Sequence, residues 1–375
     1  MSKGNIWDVV VVGGGPSGSA AAKRCAEYGL KTLLLEKYQL PRHKVCTGAL
    51  MCNIAQNMVK EVFGEVPREV LTNPPYVKGF IVYSPGYEGR ISEQRMHLAW
   101  RSDLDYWMNQ SAVKAGSELW ERAHVVNISQ DVNGCAVKLR REDKINDITA
   151  TFVIGADGGN SVVRGSIFPE FKPRYMKCFQ QVYKGKLSLD PNYIHWYVIF
   201  PDRYIFEVHH KVWQGEEAVV LDAQGRPGEL AKMNDVMDRA KKVMAEECGF
   251  DPKSKLLHRD GCLDAMWLRE LFSGEFLPAK GNVLLVGDAS GIRMPVTADG
   301  IGTGIKCGVL AAEAIQKAIR SKSKVEELYL KETKKFLTEL EKLTPPRGYI
   351  AEEAKKGPEY LLDAYKKIYD NTLAF

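Results

Sequence analysis

The sequence predicts an α/β protein made of a doubly wound parallel-sheet domain with an attached β-meander, an inserted domain built mainly on an antiparallel sheet, and C-terminal helices. Three observations predict it. Strand, glycine turn, helix and strand follow one another within the first 35 residues. Three strand-like segments cluster between residues 124 and 154. Residues 170–270 carry more aromatics in irregular alternation, before a buried strand and glycine-rich sequence return near residue 282.

Taken in order, Asp8 to Val12 is a β-branched run that stops at Gly13, and Ala-rich sequence from Ser19 to Glu27 reads as helix until Gly29 ends it. Lys31 to Leu35 is a second apolar strand, which completes a βαβ unit and implies a parallel sheet with a right-handed crossover. His124–Gln130, Gly134–Arg141 and Ile148–Ile154 form the meander. Asn133-Gly134 predicts a hairpin there, because both central positions of a type I′ turn need positive φ. Tyr183–Leu187, Ile194–Phe200, Tyr204–His209 and Ala218–Leu221 read as strands of the second, largely antiparallel sheet. Asn282–Val286 is again a buried parallel-type strand, followed by a helix from about Thr303 to Arg320. Beyond Lys322 the chain is rich in Lys and Glu at helical spacing, and Leu361, Tyr365, Ile368 and Tyr369 share one face of a final helix.

Composition excludes several classes. The chain has 375 residues, enough for two or three domains, with 45% hydrophobic and 26% charged residues as in ordinary globular proteins. Its net charge of +5 is small for its length and unclustered, which argues against nucleic acid as a partner. The longest apolar runs, such as Val9–Val12 and Trp196–Phe200, fall far short of the roughly 20 residues of a spanning helix. The polar Ser2–Asn5 start has no secretory pattern, so a cytoplasmic protein is expected, with any membrane contact peripheral. Eight cysteines (Cys25, Cys46, Cys52, Cys135, Cys178, Cys248, Cys262, Cys307) include no C-x-x-C pair, against a zinc ribbon or an iron–sulfur cluster. His209 and His210 are adjacent, so on a strand they point to opposite faces, and no metal site is expected.

Gly13-Gly14-Gly15-Pro16-Ser17-Gly18 fits G-x-G-x-x-G. The first glycine permits the tight turn, the second lets a pyrophosphate approach the backbone, and the third lets helix and strand pack closely. The helix N-terminus offers free amides to the anion. The motif follows a strand, opens a helix, and meets Glu36 at the end of the next strand, 21 residues after Gly15, where a carboxylate would accept hydrogen bonds from ribose hydroxyls. A bound dinucleotide is therefore expected. Gly155-Ala156-Asp157-Gly158 and Gly287-Asp288-Ala289-Ser290-Gly291 each follow a strand, and each alone would be only a polar turn.

The three elements in this order resemble the flavoprotein fold of p-hydroxybenzoate hydroxylase, which implies a Rossmann-like FAD-binding domain. The resemblance assigns Asp288 to the ribityl chain and places Arg101, in Trp100-Arg101-Ser102-Asp103-Leu104-Asp105, at a helix start beside the FAD phosphates. It extends the expected cofactor contacts to Gly13, Gly15, Pro16, Ser17, Gly18, Glu36, Lys37, Lys44, Cys46, Val125, Asp157, Gly158, Gly287, Pro295, Gly300 and Ile301. The expected division is 1–72, 97–168 and 278–321 for a discontinuous FAD-binding domain, 73–96 and 169–277 for a substrate domain, and 322–375 for a C-terminal helical segment.

Within that superfamily, Lys44-Val45-Cys46-Thr47-Gly48 resembles the K-x-C-G-G turn of the geranylgeranyl reductase family, with Thr47 replacing one glycine. Gly287–Gly291, Pro295, Asp299-Gly300-Ile301, Cys307-Gly308 and Ala311-Ala312-Glu313-Ala314 match that family's C-terminal FAD signature. Phe200-Pro201 matches the end of its Y-x-W-x-F-P motif, but Trp196 stands where the family has Tyr and Val198 where it has Trp. The resemblance implies reduction of carbon–carbon double bonds in an isoprenoid or other apolar substrate by hydride from reduced flavin. Cys46 would then lie near the reacting bond, as the candidate catalytic residue, and Trp196, Val198 and Phe200 would line the substrate cavity. The helix after Gly300-Ile301-Gly302 would aim amides at the flavin pyrimidine edge. No second nicotinamide domain is visible, so the electron donor would be transient NAD(P)H or a carrier protein such as ferredoxin. The alternatives are a monooxygenase of the aromatic hydroxylase type, against which Gly291 stands where those enzymes usually carry His, and an electron-transfer flavoprotein-type dehydrogenase. A flavin halogenase is disfavoured because Trp196-Tyr197-Val198-Ile199 does not reproduce W-x-W-x-I-P.

Overall fold

A computed structural model of the chain describes residues 6–200, 204–225 and 233–375, so that the polar Ser2–Asn5 start and Pro201 of the Phe200-Pro201 pair lie outside the described residues. The chain opens with β1 (Ile6–Val12), α1 (Pro16–Glu27) and β2 (Thr32–Leu35), and β1 and β2 are parallel. The helix begins at Pro16 rather than Ser19: proline pre-sets the helical φ at a position whose N–H would be unpaired anyway, and Gly15 precedes it as the cap. After α2 (Asn53–Phe63) the chain leaves this sheet for an antiparallel pair, β3 (Leu71–Tyr83) and β4 (Arg90–Ala99), and returns through α3 (Arg101–Lys114) to β5 (Glu118–Trp120).

The meander follows as β6 (His124–Asp131), β7 (Gly134–Arg141) and β8 (Lys144–Gly155). Strand β8 starts earlier than expected because its first half pairs antiparallel with β7, while its second half runs parallel beside β1. The turns differ from the expectation. Asp131 pairs with Gly134, so Val132 and Asn133 are the central residues of the first hairpin, and of the Asn133-Gly134 pair only Gly134 has positive φ (131°). The turn with two positive φ values is Glu142-Asp143, at 51° and 59°, between β7 and β8. The expected hairpin forms between β6 and β7, but its glycine follows the two central residues instead of occupying one of them.

Next come α4 (Val162–Ile167), β9 (Tyr175–Lys184), β10 (Tyr193–Ile199), β11 (Tyr204–Trp213), β12 (Glu216–Gly225), α5 (Met233–Cys248), β13 (Leu256–Ala265) and α6 (Leu268–Ser273). The expected Tyr183–Leu187 strand is instead the end of β9, which stops at Lys184. The chain then re-enters the first sheet with β14 (Ala279–Lys280) and β15 (Val283–Leu285), and ends in α7 (Ile301–Ser321), α8 (Val325–Lys342), α9 (Tyr349–Lys356) and α10 (Pro358–Leu373).

Two sheets result. The first runs β14-β15-β8-β1-β2-β5, with β7 and β6 attached to β8. The second runs β13-β9-β12-β11-β10-β3-β4, antiparallel except where β10 lies parallel to β3. Alternation along the strands of the second sheet separates two buried faces. Tyr197, Phe206, Val208 and Leu221 pack under α5. Phe80, Val82, Ile194, Trp196 and Val198 join the larger core with Leu361, Tyr365 and Tyr369 of α10, the face expected for the last helix. Helices α1 and α7 meet through glycine: a Cβ on Gly308 would lie 2.3 Å from the Ser17 carbonyl oxygen, and one on Gly304 3.4 Å from Ser17 Cβ.

Candidate active site

The β1–α1 turn separates the three glycine roles. Gly13 has φ of 109°, and a Cβ there would lie 2.3 Å from the Ala156 carbonyl oxygen. A Cβ on Gly18 would lie 1.8 Å from the Gly13 carbonyl oxygen, so the helix rests directly on the strand end. A Cβ on Gly15 would meet nothing within 4 Å. No side chain caps α1, so its first amides face an open cradle beside Gly15, Pro16 and Ser17.

Behind the turn lies a buried charge network. Glu36, at the end of β2, accepts hydrogen bonds from the Gly14 N–H (3.1 Å), the Tyr38 N–H (3.0 Å) and Arg42 Nε (3.3 Å). Arg42 also donates to Asp105 Oδ2 at 2.8 Å. Arg101, in the first turn of α3, grips the same carboxylate with Nε to Oδ1 at 2.7 Å and Nη2 to Oδ2 at 2.9 Å. Burial pushes the Asp105 carboxyl up, but Arg101 and Arg42 outweigh it and hold it below the usual carboxylate range. Asn109, one turn further along α3, donates to the Gly14 carbonyl at 2.8 Å. Arg42, Asp105 and Asn109 were missed by the sequence reading; the i, i+4 spacing of Arg101, Asp105 and Asn109 was the available signal.

Other expected contacts spread unevenly. Lys37 is exposed, with Nζ 4.9 Å from the Tyr38 ring centroid. Val125 is a core residue of β6, paired with Leu139. Asp157 is engaged elsewhere, since its carboxylate accepts from the Ser161 hydroxyl (2.5 Å) and the Val162 and Val163 amides (2.7 and 3.1 Å), which caps α4 and leaves Gly158 beside open space. Gly287 turns at φ of 57°, where a Cβ would meet Ser17 Oγ at 2.6 Å. Among the described residues no hydrogen-bond donor reaches the Asp288 carboxylate, which burial and then Asp264 push up while Lys44, Arg293 and Arg101 pull it down. Its Oδ1 stands 3.4 Å from where a Cβ on Gly300 would be, in front of α7. Pro295 is buried nearby, and the Ile301 N–H donates to Asp299 Oδ1 at 3.1 Å.

The turn from Lys44 to Gly48 lies between the second sheet and the start of α3. Lys44 Nζ donates to the Val45 carbonyl at 3.2 Å. Cys46 Sγ accepts from the Gly48 N–H at 3.3 Å, and the Cys46 carbonyl accepts from Gln180 Nε2 at 3.2 Å. Burial pushes the Cys46 thiol up, against an opposing pull from Arg101.

Across this turn the second sheet presents polar groups that sequence reading did not find. Glu207, His209 and Lys211 alternate along β11, with Asp222 opposite Glu207 on β12 and Gln180 opposite Asp222 on β9. The Thr47 hydroxyl donates to Glu207 Oε1 at 2.7 Å, and Gln180 Nε2 to Asp222 Oδ1 at 2.9 Å. Lys211 donates to the carbonyls of Thr47 and Ala99. Burial pushes the Glu207 carboxyl up to about 7 and the Lys211 ammonium down to about 8. His209 Nδ1 is 3.2 Å from Glu207 Oε1 but off hydrogen-bond geometry, and among the described residues no hydrogen-bond partner reaches either ring nitrogen or the buried Asp222 Oδ2, Gln180 Oε1 and Trp196 Nε1. The signal was Glu-x-His-x-Lys alternation on a strand. His210 points the other way, as expected, and its Nε2 accepts from the Leu187 N–H at 3.0 Å.

Trp196 and Val198 do share a face, but helix α10 covers it. Trp196 packs edge-on against Phe80 and Tyr369, with centroids 5.9 and 5.1 Å away, and Val198 is fully buried, so these two are packed core rather than an open cavity wall. Phe200, beyond the end of β10, is 36% exposed. Among the described residues no helix is long and apolar enough to cross a membrane.

Residues 7–344 match a family model described as FAD binding domain. The chain is 24% identical to the digeranylgeranylglycerophospholipid reductase of Thermoplasma acidophilum, over 92% of this chain and 87% of the relative. It is 28% identical to digeranylgeranylglycerophospholipid reductase 2 of Methanopyrus kandleri, over 84% of this chain and 78% of the relative. The crystal structure of a geranylgeranyl bacteriochlorophyll reductase-like protein from Thermoplasma acidophilum aligns with a TM-score of 0.75 at 23% identity, covering 98% of this chain and 92% of that one. Relatives of these names bear out the resemblance drawn from the Lys44–Gly48 turn and the Gly287–Gly308 signature.

Proposed function

Because the chain belongs to the FAD binding domain family, we propose that it is an FAD-dependent oxidoreductase reducing carbon–carbon double bonds of an isoprenoid or other apolar substrate. The observation that carries the reading is the pairing of two sites. An open cradle of uncapped amides lies at Gly15, and the Asp288 carboxylate, with no donor, stands before α7, with the Cys46 turn beside them. Both ends suit a dinucleotide: amides for a pyrophosphate and a charged acceptor for ribityl hydroxyls. The buried polar atoms without partners on the facing sheet suit a further bound group.

FAD, when bound, supplies the hydride chemistry. The amides of Ser17 and Gly18 would hold its pyrophosphate, Glu36 the adenosine ribose and Asp288 the ribityl hydroxyls. Arg101, already anchored by Asp105, would present its positive charge to the phosphates without having to be ordered on binding. The α7 N-terminus would favour negative charge gathering on the ring system. The apolar core shared by the two sheets and α10 would help to keep water from the reacting region. An isoprenoid alkene has no carbonyl to withdraw electrons, so a proton must arrive with the hydride. The relatives' names support an isoprenoid lipid as substrate; such a substrate would be reached by peripheral contact with a membrane, and electrons would come from NAD(P)H or a reduced carrier protein such as ferredoxin.

Against the hydroxylase reading, Gly291 has φ of 86° and a Cβ there would lie 2.3 Å from Trp267 Nε1, so the indole takes the space a histidine would need. The test is anaerobic incubation of the reduced protein with a digeranylgeranyl glycerophospholipid, followed by mass spectrometry. Gain of two hydrogens per double bond is expected. Absence of saturated product, together with oxygen consumption stimulated by an aromatic substrate, would overturn the reading.

A further inference from the structure

Resting on that reading, we propose that Glu207 stores the proton for the reduction and delivers it through the Thr47 hydroxyl. Thr47 Oγ1 lies 2.7 Å from Glu207 Oε1, within direct proton-transfer distance. Thr47 adjoins Cys46, whose thiol neighbours Arg101, so the turn lies between the polar cluster of the second sheet and the start of α3. The alternative donor is poor: the Cys46 thiol is buried and holds its proton more firmly than an ordinary cysteine.

Glu207 is faced by charged and titratable groups from each element packed around it. His209 and Lys211 lie on its own strand, Asp222 on β12 and Tyr369 on α10, with Cys46 of the Lys44–Gly48 turn and Asp103 of α3 beside Lys211. Burial favours the neutral acid, and the Lys211 ammonium stabilises the carboxylate left after release. Ligand atoms of Glu207, His209 and Asp222 lie within 4.8 Å of one another, but that same ammonium on their face opposes a metal cation.

In the step, the Thr47 hydroxyl turns from the carboxylate, to which it donates at rest, and accepts from the Glu207 O–H; its own O–H bond breaks and the proton forms a C–H bond with the alkene π pair, while the neighbouring carbon takes the hydride, with its electron pair, that reduced FAD would supply. The Glu207 O–H bond breaks to restore the Thr47 hydroxyl. The carboxylate is then reprotonated from solvent.

The first test needs no turnover. Infrared titration of the FAD-loaded protein should show a buried carboxylic acid band that deprotonates in the neutral range and is absent from E207Q but present in C46A. The second uses T47V, which should retain FAD and its reduction by dithionite yet slow reoxidation by the alkene about 10²-fold or more, with T47S restoring the rate. Glu207 ionised throughout the neutral range, or T47V reoxidising as fast as the parent protein, would overturn the proposal. If the parent protein reduces no alkene at all, the proposed function fails, while the infrared band and its dependence on Glu207 still decide the proton store. If E207Q does not fold, the T47V and T47S pair decides it.

Discussion

Gly15→Val separates cofactor binding from folding. The backbone at Gly15 is extended, with φ of −81° and ψ of −179°, a conformation any residue adopts, and the space around it is empty for 4 Å. The substitution should therefore leave the FAD-free protein within about 0.5 kcal/mol of its parent, as for a surface change away from any special feature. The branched side chain would instead occupy the volume a pyrophosphate needs. Losing two charge-assisted bonds to amides, at roughly 1.5–3 kcal/mol each, weakens FAD by about 3–6 kcal/mol, or roughly 10²- to 10⁴-fold in Kd. The assay is FAD titration into stripped protein by flavin fluorescence, with thermal melts of the FAD-free forms alongside. Gly18→Ala is the counter-experiment: its Cβ would fall 1.8 Å from a backbone oxygen, so α1 must shift and the FAD-free protein itself should lose about 1–3 kcal/mol. Unchanged FAD affinity in Gly15→Val would refute this placement of the pyrophosphate.

Asp105→Asn leaves the buried Arg101 guanidinium without its charge partner and the partly exposed Arg42 with Glu36 alone, which should cost about 3–5 kcal/mol and lower Tm by about 4–6 °C, read by calorimetry; a change under about 1 °C would mean the network is not formed. Burial, then Lys211 and His210, hold His209 well below its ordinary value. Below about pH 6.5 the unfolded chain therefore binds a proton that the native protein refuses, and stability falls with acidification by up to about 1.4 kcal/mol per pH unit. His209→Asn should remove that share of the slope in urea melts taken between about pH 7 and 5, and an unchanged slope would contradict a neutral buried imidazole. Cys46→Ala should keep FAD bound while lowering turnover on the true substrate; equal turnover with lost stability would make Cys46 a packing residue.

Where a residue's role is local, it could be read from the sequence. The β1–α1–β2 unit, the meander strands and the apolar face of α10 follow from period and glycine position, which act within a few residues. The Glu36 carboxylate was legible too, because its distance from the glycine turn is fixed by one helix. What the Asp157 carboxylate bonds to was not legible, because its α4 amide partners are set by where the chain goes after the turn. Trp196 and Val198 sit on the expected face, but that face is closed by a helix more than 150 residues later, which no strand pattern reveals. Glu207, Asp222 and Gln180 stayed hidden for the same reason: each looks like a polar strand residue until register places three strands side by side under Thr47.

The glycine contact between α1 and α7 acts as a gauge block. Gly308 lies against the Ser17 carbonyl and the Ala21 amide, backbone against backbone, and Gly304 fits between the short Ser17 side chain and Gly287, so the joint has little tolerance. The close glycine contacts fix the span between the two helix N-termini within the fold. Chimeras that exchange only one of these helices with a relative would inherit mismatched faces, whereas exchanging segments 13–27 and 287–308 together would carry the gauge across intact.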